Sequence, residues 1–218
     1  MEKDLVQLLE TPRAETAYHV VIDSRTRSEL WYCMTDGEIQ GVSPHFHGTE
    51  QVSVMVDGYQ TWEEEGEATL FTSLPDNSAF PDLPLTFELA NYLNQSNLKK
   101  GELILAQVGG LGYNAKTYQN QEDIPRDKFA PQFLIPTGAF FEPRSHKPDA
   151  RKCDIQCRGA IRELERLANS WTELPVWRVK LDTGALVLDV LIDPGSVHGD
   201  IERGVFLEGE FWLTGKTF

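Results

Sequence analysis

Cysteine, long apolar runs and basic charge are all scarce in this chain, and each shortage excludes a class of protein. The three cysteines among 218 residues, Cys33, Cys153 and Cys157, are too few for a disulfide framework. No stretch approaches the roughly 18 apolar residues of a membrane span, and the N-terminus lacks the apolar run of a signal peptide. We therefore expect a soluble, cytoplasmic protein without a membrane partner.

Basic residues number 20 against 34 acidic ones, which gives a formal net charge of −14. Such a surface repels phosphate backbones, so a nucleic-acid partner is not expected. The charge is uneven, because residues 1–150 hold 11 basic and 23 acidic side chains, a balance of −12. Residues 151–218 hold 9 and 11, a balance of −2. Hydrophobic residues make up 40% of the chain, which is enough for a packed core.

Alternating apolar residues predict an antiparallel meander in the N-terminal part. The strands are expected at Ala17–Asp23, Ser28–Thr35, Gln51–Val56, Glu67–Leu74 and Glu102–Val108. Two short helices are predicted from the spacing of apolar residues, one over 3–10 and one over 85–93. Residues 112–131 are polar and predict irregular structure.

The composition of residues 143–149, rich in proline and charge, predicts a linker between two domains. The first would be an acidic β-rich domain, 1–143, with one or two short helices. The second, 150–218, contains a hairpin pattern (176–181 with 185–192), a final strand over 204–214 and glycines within its strands. This pattern is typical of a small OB-like β-barrel, and a small sandwich is the alternative. The fold class expected is α+β, mostly β.

A histidine motif follows the first predicted strands. His45 and His47 lie two apart and point to one face of a strand, and Glu50 comes three residues later. Imidazole and carboxylate ligands suit a divalent metal. The order of these residues, followed by Gly58, resembles the first metal-binding motif of cupins, although the gap between His47 and Glu50 is one residue short. The resemblance implies a metal-dependent enzyme, whereas a polar loop between strands explains the motif without a cofactor.

Two further motifs carry alternative interpretations. Gly110, Gly112 and Ala115 match the dinucleotide fingerprint G-x-G-x-x-A, but no helix pattern follows to present its N-terminus to a phosphate. A glycine-rich turn after a strand is therefore expected. Glu63, Glu64, Glu65 and Glu67 form an acidic cluster, which is typical of a solvated hairpin tip and is also suited to docking a basic protein partner.

The C-terminal part combines arginine with tryptophan. Arg158, Trp177, Arg178 and Trp212 form the kind of set that binds single-stranded nucleic acid or oligosaccharide, since bases stack on aromatic rings and cations follow phosphates. The alternative is that these residues belong to the core of the barrel.

No catalytic set such as a G-x-S-x-G elbow is present in the sequence. The function expected is therefore a non-catalytic protein-interaction or ligand-binding module without a cofactor, which would bind a protein partner through its acidic N-terminal domain. The alternatives are a cupin-like metal enzyme using His45, His47 and Glu50, and an OB-type binder of single strands or oligosaccharides. The sequence leaves the oligomeric state open.

Overall fold

The computed structural model describes residues 6–10, 16–62, 67–75, 82–92, 97–125, 130–140 and 153–218. Regular structure in these ranges is almost all β. The strands are β1 (Val6–Glu10), β2 (Thr16–Ile22), β3 (Ser28–Thr35), β4 (Glu38–Phe46), β5 (Gln51–Trp62), β6 (Glu67–Leu74), β7 (Leu83–Leu89), β8 (Leu103–Tyr118), β9 (Phe133–Ile135), β10 (Asp154–Ala168), β11 (Pro175–Asp182), β12 (Val187–Ile192), β13 (Val197–His198) and β14 (Phe206–Thr217). Helix α1 (Thr137–Phe140) is a single turn. None of the helices in these ranges has the length and apolarity needed to cross a membrane.

The first four strands form a small antiparallel sheet in the order β1-β2-β3-β4. Asp36 and Gly37 connect β3 to β4 with φ angles of 53° and 81°, as a tight hairpin turn requires. Trp31 and Cys33 alternate with more exposed neighbours on β3 and are both buried. The strand predicted at Ser28–Thr35 is therefore present.

The other ten strands form one large mixed sheet. Its centre is the antiparallel pair of β8 and β14, in which residues 106–118 lie against 206–217. Parallel pairs join β12 and β13 to β8, and β7 to β14. The apolar side chains on one face of this sheet pack against each other and form the main core. Its wholly buried residues include Val54, Leu70, Phe87, Leu188 and Leu213.

The OB-like barrel predicted for residues 150–218 is not confirmed. Strand β10 pairs with β14 and with β11, and β11 pairs with β12. Strands β12 and β14 each pair on their other side with β8. Strand β8 comes from residues 103–118, outside the predicted barrel segment. Strands from both sides of the predicted boundary thus share one sheet, while residues 143–149 themselves lie outside the described residues.

Both predicted helices are wrong. Residues 83–89 form strand β7, and Leu85 to Leu89 are all buried. Leu85, Phe87 and Leu89 face the core of the large sheet, whereas Glu88, on the opposite face, contacts Ser43 of the small sheet. The helix was predicted from the spacing of Leu85, Leu89, Tyr92 and Leu93, but residues 85–89 also alternate apolar and polar side chains, as a strand does. Within 3–10, residues 6–10 form strand β1 instead.

The irregular structure predicted from residue 112 onward is also wrong in part, because β8 continues to Tyr118. The glycines within this strand allow neighbouring groups to approach closely. A Cβ on Gly109 would lie 2.6 Å from the Phe46 carbonyl oxygen, and one on Gly112 would lie 2.9 Å from Ile192. The fingerprint-like glycines are therefore packing positions within a strand.

The small sheet packs by its buried face against the large sheet. Val20, Trp31 and Cys33 form an apolar cluster with Ala90, which follows β7. At the β2–β3 turn, the buried Asp23 carboxylate accepts hydrogen bonds from the backbone N–H and the hydroxyl of Ser170, at 2.5 and 2.9 Å. Ser170 lies in the turn between β10 and β11. These contacts fix the two sheets relative to each other and create the seam in which the candidate site lies.

A candidate ligand site at the seam between the sheets

The predicted histidine motif lies where the chain crosses from the small sheet to the large one. At the end of β4, Phe46 N–H donates to Thr214 Oγ1 at 2.8 Å, and the Thr214 hydroxyl donates to the Phe46 carbonyl at 2.6 Å. Gly109 lies directly beneath this carbonyl. The reciprocal pair of hydrogen bonds holds the crossing against β14, and thereby sets the positions of His45 and His47 on either side of Phe46.

Beyond the crossing, the chain turns away from the histidines. The Thr49 N–H and hydroxyl donate to the buried Asp189 carboxylate at 2.6 and 3.0 Å. The next residue, Glu50, is exposed and accepts a hydrogen bond from Lys180 Nζ at 2.9 Å. The carboxylate of Glu50 is therefore held by β11.

A different carboxylate, that of Glu29, contacts the histidine pair. Glu29 on β3 lies directly opposite His45 on β4, so both side chains point to the same face. Glu29 Oε1 is 3.3 Å from His47 Nε2, and Glu29 Oε2 accepts a hydrogen bond from the Trp31 indole at 2.8 Å. The Trp31 ring also meets the His45 ring edge-on, with centroids 6.1 Å apart.

Both histidines are neutral in this environment. Burial lowers the pKa of His45 to about 3, with a smaller contribution from the nearby His47 ring. Burial likewise lowers the pKa of His47 to about 3, and the positive charges of Lys216 and Arg27 add to the effect. The Nδ1 atoms of both rings are buried and have no hydrogen-bond partner among the described residues. Each ring thus retains unused hydrogen-bonding capacity inside the seam.

Two cations complete the group. Lys216 lies two residues beyond Thr214 on β14, and therefore on the face that contacts Phe46; burial lowers the pKa of its ammonium group. Arg27 lies just before β3 at a φ of 62°, a conformation that costs a non-glycine residue about 1 kcal/mol. Its backbone N–H closes the turn on the Asp23 carbonyl at 2.8 Å, and its side chain is exposed.

We refer to Arg27, Glu29, His45, His47 and Lys216 together as the seam site. Burial raises the pKa of the Glu29 carboxyl, so the environment there is poorly solvated. Within the described residues, neither cation has a salt bridge closer than 4.0 Å, and the charge that attracts Lys216 is that of Glu29. The arrangement offers two cations, one carboxylate and two neutral imidazoles at the edge of a buried seam.

The structure therefore brings His45 and His47 together with Glu29 and places Glu50 elsewhere. In the part of the chain that the structure describes, no group of three or more His, Cys, Asp or Glu side chains is arranged to hold a metal ion. Sequence reasoning missed Glu29, Arg27 and Lys216. A signal for Glu29 was present, because it alternates with Trp31 and Cys33 and is thus a carboxylate at an inward-facing position of a strand.

The predicted arginine and tryptophan set does not form one surface. Arg158 is wholly buried, and its guanidinium donates twice to Glu208, at 2.9 and 2.6 Å. It lies between the rings of Tyr118 and Phe133, 5.3 and 4.9 Å from their centroids. A buried, paired guanidinium in this position stabilises the sheet and is closed to a ligand.

Of the other three members, Arg178 and Trp177 contact neighbouring side chains. Arg178 pairs with Glu165, and Trp177 packs against the core while Arg166 lies over its ring. Trp212 lies opposite Asp154, at the start of β10, whereas Trp177 lies opposite Arg166 near the end of that strand. Across the sheet, Trp177 pairs with Ile192, Ile192 with Gly112, and Gly112 with Phe211, the residue before Trp212.

The acidic docking surface predicted for 1–143 stays a prediction, and residues 63–66 of its cluster lie outside the described residues. Comparisons with protein-family models, with curated proteins and with solved structures find no match to this chain. The function of the protein is therefore inferred from the seam site itself.

Proposed function

We propose that this protein is a non-catalytic binding module that recognises a singly charged anionic group at the seam site. The observation that carries the proposal is that the charges of Lys216 and Arg27 both act on His47, whose ring lies 3.3 Å from the Glu29 carboxylate, in a protein whose net charge is −14. Binding, rather than catalysis, is favoured because His45 is buried, His47 is largely buried, and the crossing at Phe46 fixes both.

The charge balance of the site selects the charge of the ligand. With both imidazoles neutral, Arg27 and Lys216 exceed Glu29 by one positive charge, so a monoanion brings the site to neutrality. A doubly charged group would leave an uncompensated negative charge in a poorly solvated position, which is costly. A carboxylate fits this balance, and it also accepts the hydrogen bonds that an ammonium and a guanidinium donate.

The proposal is tested by titration with sodium acetate in 0.1 M sodium chloride, followed through the NMR signal of the Trp31 indole N–H. This group donates to Glu29 and reports directly on the site. We expect a saturable shift in the millimolar range, and a response to inorganic phosphate dianion at least threefold weaker.

Two variants locate the effect. K216Q and R27Q should each weaken acetate binding at least fivefold. The matched control is K116Q, because Lys116 is also a strand lysine over an aromatic ring, 5.0 Å from the Tyr118 centroid, but lies away from the seam. A response in K216Q and R27Q equal to that of the unmodified protein, or no saturable shift at all, would overturn the proposal.

A further inference from the structure

An exposed apolar strip begins beside Lys216 and runs along the outer face of β8. Lys216 lies opposite Gln107, and the Phe218 N–H donates to the Leu105 carbonyl at 3.3 Å. Cross-strand partners share a face, so Lys216, Phe218 and Leu105 lie on one surface. Leu103 extends this surface by alternation along β8.

The three apolar side chains of this strip are unusually exposed to solvent for their size. Leu103 is 56% exposed, Leu105 45% and Phe218 59%. Single exposed apolar residues are ordinary, whereas a contiguous group points to a contact surface. The strip connects to the seam site through Lys216, whose Nζ is 5.8 Å from the centroid of the Phe218 ring.

We propose that the ligand of the seam site is an amphipathic monocarboxylate, a medium-chain fatty acid in its free monomeric form. This inference rests on the proposed function. The carboxylate would lie at Lys216 and Arg27, and the alkyl chain would cover Phe218, Leu105 and Leu103. The four residue steps from Gln107 to Leu103 span about 13 Å, which is comparable to an extended medium alkyl chain.

Charge complementarity identifies this occupant. The cations stand at one end of an apolar strip, as the head group and chain of a fatty acid require. The net charge of −14 opposes docking on an anionic membrane, so the source of the carboxylate is a free molecule and not a lipid bilayer.

The test compares acetate, hexanoate, octanoate and decanoate below their micellar concentrations, by calorimetry and by the Trp31 indole signal. A fully buried methylene contributes about fourfold in affinity, and an open strip covers the chain from one side, so about twofold for each methylene is expected. Decanoate should then bind roughly 16-fold more tightly than hexanoate. Decanol, which lacks the charge, should bind at least tenfold more weakly than decanoate.

The variant L105S should reduce the gain with chain length while leaving acetate binding unchanged. The matched control is V42S, because Val42 is 48% exposed on β4 of the small sheet. Equal affinity for acetate and decanoate would overturn this inference and leave the proposed function standing. Decanol binding as tight as decanoate, or binding to anionic vesicles but not to monomeric decanoate, would also overturn it. Absence of binding by both acetate and decanoate would refute the proposed function itself.

Discussion

Acidification from pH 7 to pH 5 should destabilise the folded protein through His45 before most carboxylates titrate. The ring is 3% exposed, and burial lowers its pKa to about 3, so it stays neutral in the folded state at both pH values. In the unfolded chain a histidine titrates near its ordinary pKa of about 6.5. Between these pKa values the unfolded state binds more protons, and stability therefore falls as the pH falls.

The size of the effect follows from the protonation of the unfolded chain. At pH 5 about 97% of an unfolded histidine is protonated, against about 24% at pH 7, which favours the unfolded state by about 2 kcal/mol. His47 has the same lowered pKa and contributes a similar amount, for a total of about 4 kcal/mol. This is a large part of the 5–15 kcal/mol by which a typical domain is stable.

The Glu29 carboxyl, which faces His45, moderates this loss of stability. Glu29 lies opposite His45, and the pKa of its carboxyl is raised by burial. A raised carboxyl pKa means that the folded state takes up a proton before the unfolded state does, so stability is regained as the pH falls through that pKa. Lys216 stays charged over this range, and its repulsion keeps His47 neutral. The net loss at pH 5 is therefore somewhat below the sum for the two histidines.

Urea unfolding at pH 7 and pH 5, followed by tryptophan fluorescence, measures the loss. H45Q should lower stability at pH 7, yet its loss between the two pH values should be smaller than that of the unmodified protein by about 2 kcal/mol. H198Q is the matched control, because His198 is exposed on β13, and should retain the full difference. If H45Q retains it as well, His45 is not buried and neutral in the folded protein.

Two further predictions concern the structure that supports the site. G109A should destabilise the protein by about 1–3 kcal/mol in urea unfolding, because the new Cβ would meet the Phe46 carbonyl oxygen at 2.6 Å; G58A meets nothing within 4 Å, and an equal loss there would contradict this. R158M should cost about 3–5 kcal/mol, because it removes the cation that neutralises the buried Glu208 carboxylate. Adding E208Q should recover part of that loss, and no recovery would show that the unpaired negative charge of Glu208 is not the cause.

The sequence predicts strand Ser28–Thr35 correctly, and in the structure its buried residues alternate with partly exposed ones. Strand β7 was missed because the spacing of Leu85, Leu89 and Leu93 also fits a helix, so local spacing left two interpretations of the same residues. The far end of β8 was missed because its glycines, which make room for the crossing chain at Phe46 and for Ile192, have the composition of a turn.

Only those residues of the candidate site that are close in sequence could be predicted. His45 and His47 share a short segment, so their spacing indicates a common site. Glu29 joins them through the pairing of β3 with β4, and Lys216 through the contact of Phe46 with Thr214 on β14. Neither the register of two strands nor the packing of two sheets can be read from local spacing. Asp189, which draws the chain and Glu50 away from the histidines, is 140 residues from the Thr49 that it binds.

The strongly negative surface and the positive seam site act on a ligand over different distances. At about 0.1 M salt, exposed charges are screened beyond about 10 Å, while partly buried charges such as that of Lys216 are screened less. A small monoanion at the seam is therefore governed by the local excess of one positive charge. A polyanion such as a nucleic-acid strand extends beyond the seam and meets the negative surface along most of its length. Because additional negative charge on a ligand would meet the negative surface, a ligand gains further affinity most readily through apolar contacts. The apolar strip along Leu105 and Leu103 offers such contacts.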